Sequence, residues 1–594
     1  MILVAINDRA HGILFFLSIM RKIVGLVSGG KDSLFTLKVA KDLGHEIVCL
    51  ANLFTGNSNE SDSWIYQTVG GELVPLIAEA VNLPLVRRII QGKAIVKDLS
   101  YYNPEADDET EDLFELLVDV KKKFPCVDTV AVGALFSDFQ RLRVENVCER
   151  LNLRVVAFLW RLPQSEVLNR MQRAGLEAVL VKVASFGLNA DCLGKSVSEL
   201  RGLFEKLHAR FGFHVAGEGG EYETLTVSCP GLMHRKLLIG KVNIIDHGGD
   251  VWYLAADQES IDNSRLGEID QIANVDAFPD LKDLSFYEHD FPKRSSFHSN
   301  SPVQYVPVNS SDLVFSNSFD GSYDLKEIFE RIPFSIDKVI FVELQLSDIS
   351  KFQEINIQFA EIFKKNPPAR CTVETPLPDG VQVRVRLILS EEISMFQRLH
   401  VQSISTWSMA CIGPYAQAMY CKVEDKNSLC LTSGVLGLIP HSMTLPCDGW
   451  QTELWMALRS LKNIVNVCSK EEFENSVALI QVTPKVPSLV AVRDAFKSYF
   501  SHFQVLVVQV RALPRNANVE INYILNANCE AVSSLEIDDC LKSRFQQIFY
   551  DVLLSDEASI LDKCGNAHYS LTPCLELLDV SNNQKCAFSA LAFY

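Results

Sequence analysis

A short stretch near the N-terminus, residues 22–33 with the sequence KIVGLVSGGKDS, constrains the fold of this chain more than any other. Its first part is apolar and β-branched, which is typical of a strand buried on both faces. Two glycines then permit a tight turn whose backbone approaches a ligand closely. Apolar residues recur afterwards at roughly helical spacing, at Leu34, Leu37, Ala40 and Leu43. The stretch predicts a strand, a glycine loop and a helix whose N-terminus would bind phosphate.

The spacing from Gly25 to Lys31 also fits a Walker A loop, G-x-x-x-x-G-K. A Walker A loop needs a Ser or Thr directly after the lysine to hold magnesium. Here that residue is Asp32, and the hydroxyl is delayed to Ser33. The loop SGGKDS instead resembles the pyrophosphate-binding loop of the ATP pyrophosphatases. Those enzymes cleave ATP between the α- and β-phosphates and adenylate a substrate oxygen.

Composition places the chain among globular proteins. Its 594 residues predict about three or four domains. The net charge of −18 disfavours non-specific attraction to nucleic acid, so no nucleic-acid partner is expected. Sixteen cysteines without a C-x-x-C pair indicate reduced, buried thiols and a cytoplasmic protein. The apolar run from Gly12 to Ile19 is too short to span a bilayer. Residues 1–19 are interpreted as an N-terminal extension, and no membrane partner is expected.

Residues 22–52 form a predicted βαβ unit, which indicates an α/β fold with a doubly wound parallel sheet of the Rossmann-like, HUP type. Ligands bind at the carboxyl ends of such strands, so Asn52 is predicted to lie where an adenine or ribose rests. The acidic segment Asn103–Asp112 is predicted to be a solvated loop. Further strands are predicted at Leu85–Ile90, Thr129–Ala134, Val155–Leu159 and Ala178–Val183, with helices at Phe139–Leu151 and Gln164–Ala174.

Three further stretches are rich in groups that carry chemistry: residues 62–70 (DSWIYQTVG), 133–145 (GALFSDFQRLRVE) and 217–224 (GEGGEYET). The alternatives are an amphipathic helix start for the first and a surface turn for the third. For the second, the alternative is an N-cap at Ser137 or Asp138 that opens a salt-bridged helix. Together with the phosphate loop, the three stretches resemble the diphthine–ammonia ligase family, which performs the last step of diphthamide synthesis on translation elongation factor 2. The resemblance covers about residues 20–252. This chain has Gly71 where the family pattern leads us to expect His.

The resemblance implies chemistry that the motifs suit. ATP would adenylate the diphthine carboxylate, and ammonia would then attack the acyl-adenylate to give the amide and AMP. The loop amides and Lys31 would stabilise charge on the β- and γ-phosphates, and Asp32 would hold Mg²⁺. The predicted nucleotide-binding residues are Ser28, Gly29, Gly30, Lys31, Asp32, Ser33 and Asn52.

The remaining motif residues are assigned to the acceptor. Arg141 and Arg143 would grip the substrate carboxylate or the α-phosphate, and Asp138 would orient ammonia or take its proton. Diphthine carries a trimethylammonium group, which suits negative charge and an aromatic face. The predicted substrate-binding residues are Gln67, Ser137, Gln140, Glu145, Glu218, Glu221, Tyr222 and Glu223.

The C-terminal half is predicted to hold two α+β copies that resemble the RidA (YjgF) imine-deaminase family. The first, at 319–395, contains Pro367-Pro368-Ala369-Arg370, and in that family the arginine binds the substrate carboxylate. The second, at 403–530, contains Gly413-Pro414-Tyr415 but has Leu506 at the arginine position. Neither copy holds a whole site, so a binding or assembly role, including self-association, and a composite site between the copies stay open. Residues 253–318 are interpreted as a linker.

Residues 531–594 have no predicted role, although Cys540–Leu554 has a helix-like pattern. Two alternative functions remain open beside the ligase. One is a tRNA-modifying ATP pyrophosphatase, which the net acidity disfavours. The other is a scaffold with a degenerate ligase domain, which the intact loop at 28–33 disfavours.

Overall fold

The computed structural model describes most of the chain from residue 20 onwards. The described residues are 20–55, 70–99, 101, 104–240, 242–255, 267–268, 276, 278, 313–316, 318–364, 366–421, 430–468, 476–500 and 503–525, together with strands within 529–593. The N-terminal extension at 1–19 and most of the predicted linker lie outside these residues. None of the helices in the described part of the chain is long and apolar enough to cross a membrane.

The N-terminal domain is built on one sheet of five strands, all parallel, in the order β3-β2-β1-β4-β5. Apolar strands surrounded by helices explain the order, since each βαβ crossover buries both faces of the sheet. The prediction of a doubly wound parallel sheet is confirmed. The strands are β1 Lys22–Leu26, β2 Glu46–Phe54, β3 Leu85–Ile89, β4 Thr129–Ala131 and β5 Arg154–Val156; the helices are α1 Lys31–Asp42, α2 Val74–Val81, α3 Glu109–Lys123, α4 Asp138–Arg150 and α5 Gln164–Arg173.

A second sheet, antiparallel and in the order β7-β6-β10-β9, packs beside the first. Its strand β7 reaches the phosphate loop, because the amide of Thr226 donates to the carbonyl of Gly29 at 2.8 Å. The elements of this layer are β6 Glu177–Val183, α6 Val197–Phe211, β7 Tyr222–Ser228, β8 Arg235–Lys236, β9 Asn243–Gly248, β10 Val251–Ala255 and β11 Gly267–Glu268.

The predicted internal repeat is present in the C-terminal half. In the first copy β14 and β15 are parallel and are joined by α8, while β16 returns antiparallel to β14. In the second copy β21, α10, β22 and β23 repeat this arrangement. The first copy comprises β12 Leu313–Phe315, β13 Phe319–Gly321, α7 Leu325–Glu330, β14 Val339–Leu346, α8 Phe352–Phe363, β15 Ala369–Glu374 and β16 Val383–Ser390. The second comprises β17 Phe396–Leu399, β18 Ala418–Cys421, β19 Cys430–Thr432, β20 Val435–Leu436, α9 Trp450–Cys468, β21 Val477–Val482, α10 Leu489–Tyr499, β22 Gln504–Gln509 and β23 Val519–Leu525.

The last described strands form a third sheet of the same pattern, in the order β24-β28-β25-β26. Here too one pair is parallel and the final strand returns antiparallel to the first of them. The helix predicted over Cys540–Leu554 is wrong, because 545–551 form a strand whose pairing with distant strands overrides local propensity. The strands are β24 Cys529–Ser533, β25 Phe545–Asp551, β26 Ser570–Cys574, β27 Glu576–Leu577, which joins β22, and β28 Phe588–Phe593.

The acidic segment predicted to be a solvated loop is exposed only over residues 104–107, and the prediction is wrong for residues 108–112, which form the cap and the first turn of α3. Asp108, 2% exposed, caps α3 and also accepts the amides of Ile95 and Val96 at 3.1 and 2.9 Å. Asp112, 8% exposed, accepts the amides of Gln91 and Gly92 at 2.9 and 2.8 Å. These two carboxylates thus bind the backbone amides of the loop at 91–96 and hold it against the start of α3.

The C-terminal half docks on the edge of the parallel sheet. Ile404 pairs with Val156 of β5 as a parallel bridge. The amide of Ile404 donates to the Val155 carbonyl at 2.9 Å, and the amide of Ala157 donates to the Ile404 carbonyl at 2.8 Å. The single bridge at Ile404 thus connects the C-terminal half to the edge strand β5.

Candidate active site

The phosphate loop has the geometry that its glycines predict. Gly29 adopts a φ of +94°, which L side chains rarely adopt. The Ser28 hydroxyl accepts the amide of Gly30 at 3.3 Å, and the Ser33 hydroxyl donates to the Gly30 carbonyl at 2.9 Å. Helix α1 begins directly afterwards at Lys31, so the positive end of its dipole faces the loop.

Lys31 and Asp32 form a buried ion pair at the start of α1. The Lys31 ammonium lies 2.7 Å from Asp32 Oδ2 and 2.6 Å from the carbonyl of Ala216. Burial raises the pKa of the Asp32 carboxyl, and the Lys31 charge offsets this only in part. The other oxygen, Asp32 Oδ1, is buried and has no hydrogen-bond partner among the described residues. This carboxylate therefore has one oxygen left for a cation.

Magnesium fits this donor set. Within the described ranges no group of three or more His, Cys, Asp and Glu side chains is arranged to hold a metal. Mg²⁺ is commonly bound by one or two carboxylates together with substrate phosphates, which a single aspartate beside a phosphate loop satisfies. Asp32 is the residue that would hold it.

The loops after β1 and β4 meet at the point where the strand order of the sheet reverses. A Cβ on Gly133 would lie 2.6 Å from the carbonyl carbon of Asp32 and 2.7 Å from the amide nitrogen of Ser33. Only glycine allows this approach of two backbones. The reversal point of an open α/β sheet is where ligands bind, and here it brings the 133–138 loop against the phosphate loop.

Glu218 faces this junction from the 217–224 stretch. Burial, together with the nearby Asp32 charge, raises the pKa of the Glu218 carboxyl to about 7. Its backbone amide donates to His214 Nδ1 at 3.3 Å. Burial and then the Lys31 charge lower the pKa of His214 to about 4, so this imidazole is neutral at pH 7. A carboxyl that titrates near neutrality is matched to proton transfer at that pH.

The other residues of the 217–224 stretch are engaged within the protein. Glu221 accepts the amides of His214 and Gly219 at 2.9 and 2.8 Å. The Tyr222 hydroxyl donates to the carbonyl of Val215 at 2.7 Å, and its ring stacks on Phe204 at 4.8 Å. Glu223 pairs with Lys182 at 3.5 Å.

The residues expected near the adenine are placed as follows. The Asn52 amide donates to the carbonyl of Val27 at 2.9 Å, and its oxygen accepts from Arg87 Nε at 3.0 Å. Arg87 Nη2 also donates to the Gly71 carbonyl at 2.9 Å. Asn52 therefore connects the end of β1 to Arg87 of β3. Gly71 takes part in this network through its backbone carbonyl. Gln67 lies outside the described residues.

Helix α4 holds the remaining candidates. Ser137 is its N-cap and accepts the amide of Gln140 at 3.3 Å. Arg143, 1% exposed, donates to the carbonyls of Val96 and Asp98 at 2.6 and 3.1 Å. The structure thus places Arg143 against the loop before α3, away from the phosphate loop.

Arg141, Asp138 and Glu145 form one ionic chain along α4. Arg141, 3% exposed, lies 2.8 Å from Asp138 Oδ1 and 2.6 Å from Glu145 Oε2. It also donates to the carbonyl of His400 in the second copy at 3.0 Å. Arg161 approaches the other Asp138 oxygen at 3.6 Å. A cleft of about 1460 Å³ between the two halves is lined by members of this chain, including Asp138, Arg141 and Arg161.

A second polar site lies where the two copies of the internal repeat meet. Arg370, 2% exposed, lies 4.9 Å from the ring centroid of Tyr415 and donates to Asn356 at 2.6 Å. Its Nε and Nη1 groups are buried and make no hydrogen bond within the part of the chain that the structure describes. Burial lowers the pKa of Arg370 to about 10. The arginine of the first copy and the Gly-Pro-Tyr segment of the second are thus brought together within one chain.

Sequence reasoning missed three groups at the candidate site. Thr224 accepts the amide of Lys31 at 3.1 Å, and Arg87 connects Asn52 with Gly71. Ser403 bonds Glu145 from the other half of the chain. Thr224 is the last residue of the 217–224 stretch, so its role could have been predicted from the sequence. Arg87 and Ser403 lie in stretches without a distinctive pattern.

The chain is similar to diphthamide synthases and their relatives. Residues 20–155 match the model of the diphthamide synthase N-terminal domain, and residues 164–263 match that of the C-terminal domain. A diphthine–ammonia ligase of Schizosaccharomyces pombe is 33% identical over 88% of this chain and 90% of its own length. One of Danio rerio is 48% identical over 39% of this chain and 91% of its own length.

The solved structure of a RidA protein from an Antarctic Psychrobacter overlaps 20% of this chain and 95% of its own, with 26% identity and a TM-score of 0.17. The similarity to the S. pombe protein is the stronger finding, because it extends over nearly the whole of both chains. This chain belongs to the diphthine–ammonia ligase family.

Proposed function

We propose that this chain amidates the diphthine carboxylate of translation elongation factor 2 with ammonia, and that ATP is cleaved to AMP and pyrophosphate through an acyl-adenylate. The observation that carries the proposal is the contact of the Gly133 loop with Asp32 and Ser33 at the reversal point of the sheet. It joins a phosphate-binding loop to a stretch that the resemblance assigns to the acceptor. Family membership supports the choice of ATP, a protein substrate and ammonia.

The phosphate side acts by fixed charge. The positive end of the α1 dipole and the Lys31 ammonium supply positive charge beside the loop where the β- and γ-phosphates would lie. Lys31 is held by Asp32 and the Ala216 carbonyl, so little reorganisation is needed as the pyrophosphate leaves. Magnesium held by Asp32 would neutralise charge on the phosphate oxygens.

The acceptor side supplies negative charge and a proton acceptor. Glu218 lies beside Asp32 with a pKa of about 7, so it can take a proton from the attacking ammonia at neutral pH. Glu218 in its ionised form offers charge for the quaternary ammonium, whereas Glu223 is paired with Lys182. Tyr222 has one ring face on Phe204 and lies 5.3 Å from the Lys31 ammonium, so we assign it to packing. Asp138 is held between Arg141 and Arg161 and is better placed to orient than to accept a proton.

The test is AMP release from ATP by the purified chain, with ammonium and diphthine-bearing elongation factor 2 added or withheld separately. AMP that requires the factor, with amide product that requires ammonium, supports the ligase. AMP that requires tRNA instead supports the RNA-modifying alternative. An Asp32→Ala variant that exchanges pyrophosphate into ATP at the normal rate would contradict the metal-binding role.

A second function is favoured by the site at Arg370. Two unpaired guanidinium donors on a side chain that is 2% exposed, beside an aromatic ring, suit a small carboxylate. We propose that the junction of the two copies binds a small carboxylic acid. Calorimetric titration with pyruvate should show binding to the wild-type chain and none to Arg370→Gln, and equal heats from both would exclude the site.

A further inference from the structure

We infer that Ser403 and Glu145 are positioning residues for the ligase reaction, through which the second RidA-like copy holds Arg141 and Asp138 in place. The inference rests on the proposed function. It departs from the sequence-based assignment of Glu145 and Arg141 to substrate contact, and it adds a residue from the other half of the chain.

The contact is built on one buried carboxylate. Glu145 Oε1 accepts the amides of Gln402 and Ser403 at 3.2 and 2.9 Å and the hydroxyl of Ser403 as well. Glu145 is 5% exposed and Ser403 is fully buried. Three donors on one oxygen of a buried carboxylate fix its position, because leaving that charge unpaired is costly. The partners are 257 and 258 residues apart in the chain.

The second oxygen of Glu145 contacts Arg141, one turn earlier in α4. Glu145 Oε2 holds Arg141 Nη1, which also donates to the His400 carbonyl of the same docking segment. Arg141 Nε and Nη2 hold Asp138 Oδ1 at 3.2 and 2.8 Å. Since Arg141 is 3% exposed and has these partners on all sides, it is available to position Asp138 rather than to bind substrate.

Asp138 connects this chain of contacts to the reaction site. Asp138 is the first residue of α4 and lies five residues after Gly133, whose backbone packs on Asp32. Asp138 is 35% exposed on its side chain, whereas Arg141 and Glu145 are buried, so it is the member that can meet a ligand. The RidA-like half therefore shapes the acceptor side of the ligase site without contributing a reacting group.

The test compares Ser403→Ala with a matched control in the full-length chain. Thr406→Val removes another single hydrogen bond across the same contact, from the Thr406 hydroxyl to the Phe158 carbonyl at 3.1 Å, but leaves Glu145 untouched. We expect Ser403→Ala to lower kcat for amidation about tenfold, as for a lost hydrogen bond to a charged group, with KM for ATP within about twofold of wild type. Thr406→Val should keep the wild-type kcat.

The second measurement is a double-mutant cycle on kcat between Ser403 and Glu145. If both residues act through one chain of contacts, the kcat losses of Ser403→Ala and Glu145→Gln should not add, so the double variant should have nearly the kcat of Glu145→Gln alone. Equal kcat values for Ser403→Ala and Thr406→Val, or an equal rise in KM for ATP in both, would overturn the inference.

Failure of the proposed function is recognised separately. A wild-type chain that releases no AMP with any acceptor refutes the ligase, and hydrogen exchange then tests the positioning alone. Ser403→Ala should speed exchange of the amides of residues 138–141, and Thr406→Val should not. Identical exchange in the two variants would overturn the positioning role.

Discussion

Replacement of Gly133 by alanine tests the junction between the acceptor loop and the phosphate loop. The added Cβ would lie 2.6 Å from the Asp32 carbonyl carbon, 2.7 Å from the Ser33 nitrogen and 2.8 Å from the Asp32 oxygen. These are backbone atoms, so no side-chain rotation relieves the contact. Restoring a carbon–carbon separation of about 3.5 Å requires the two loops to separate by roughly 0.9 Å. Overpacking of this kind costs about 1–3 kcal/mol.

The catalytic effect should exceed the effect on stability. A displacement of about 1 Å of positioning groups can lower a rate about a hundredfold, so we expect AMP formation by Gly133→Ala to fall by about that factor. The melting temperature should fall by about 2–4 °C for each kcal/mol lost.

The matched control is Gly202→Ala. This glycine lies in α6, and no heavy atom lies within 4 Å of its added Cβ. Alanine should stabilise the helix there by about 0.5–1 kcal/mol and leave AMP formation unchanged. Wild-type AMP formation and melting temperature in Gly133→Ala would refute the reasoning, because the close contact would then have no consequence.

Three further predictions concern buried groups. His45 has no hydrogen-bond partner for either ring nitrogen among the described residues, and burial lowers its pKa from 6.5 to about 4. The stability that the neutral ring contributes is therefore lost as pH falls from 6.5 towards 4. His45→Phe keeps the stacking on Phe158, and its melting temperature should depend less on pH in that range. The pKa of Glu218 is raised from 4.5 to about 7, so the stability that its protonated form contributes is complete below pH 4.5 and is lost as pH rises through 7. The melting temperature of Glu218→Gln should therefore rise relative to that of the wild type between pH 5 and 8. A difference in melting temperature that stays constant over this range would contradict the prediction. Phe278 is 2% exposed and packs against Phe35 and Arg170. Phe278→Ala should lower the free energy of unfolding, measured in urea, by about 3–5 kcal/mol. A decrease below about 1 kcal/mol would show that this part of the predicted linker does not pack on the domain.

The phosphate loop was predictable because its signals are local. An apolar β-branched run, two glycines and a helical apolar spacing lie within about twenty residues, and each requires only its neighbours to form. The structure has β1 at Lys22–Leu26 and α1 at Lys31–Asp42, close to the predicted bounds. The parallel order of the sheet followed from the βαβ rule rather than from any single residue.

The incorrect predictions share a physical cause, which is dependence on partners remote in sequence. The acidic residues of 103–112 form a charge run like that of many surface loops, and nothing in the run reveals the amides at 91–96 that need acceptors. Residues 545–551 have a helix-like pattern, yet their edges are taken by β26 and β28. Local pattern cannot decide such cases, because pairing energies in a sheet exceed differences of propensity.

Helix α4 contains contacts that the sequence predicts and contacts that depend on the distant half of the chain. The spacing of Asp138, Arg141 and Glu145 by three and four residues predicts ion pairs along one helix face, and the structure has both of them. The same spacing is equally consistent with side chains that await a substrate, so the sequence alone left the two interpretations open. What separates them is burial by the docking segment at 400–404, which supplies donors to Glu145 and an acceptor to Arg141. A motif residue can therefore serve the reaction through its neighbours, and only the partner from the distant half of the chain distinguishes that role from direct contact with substrate.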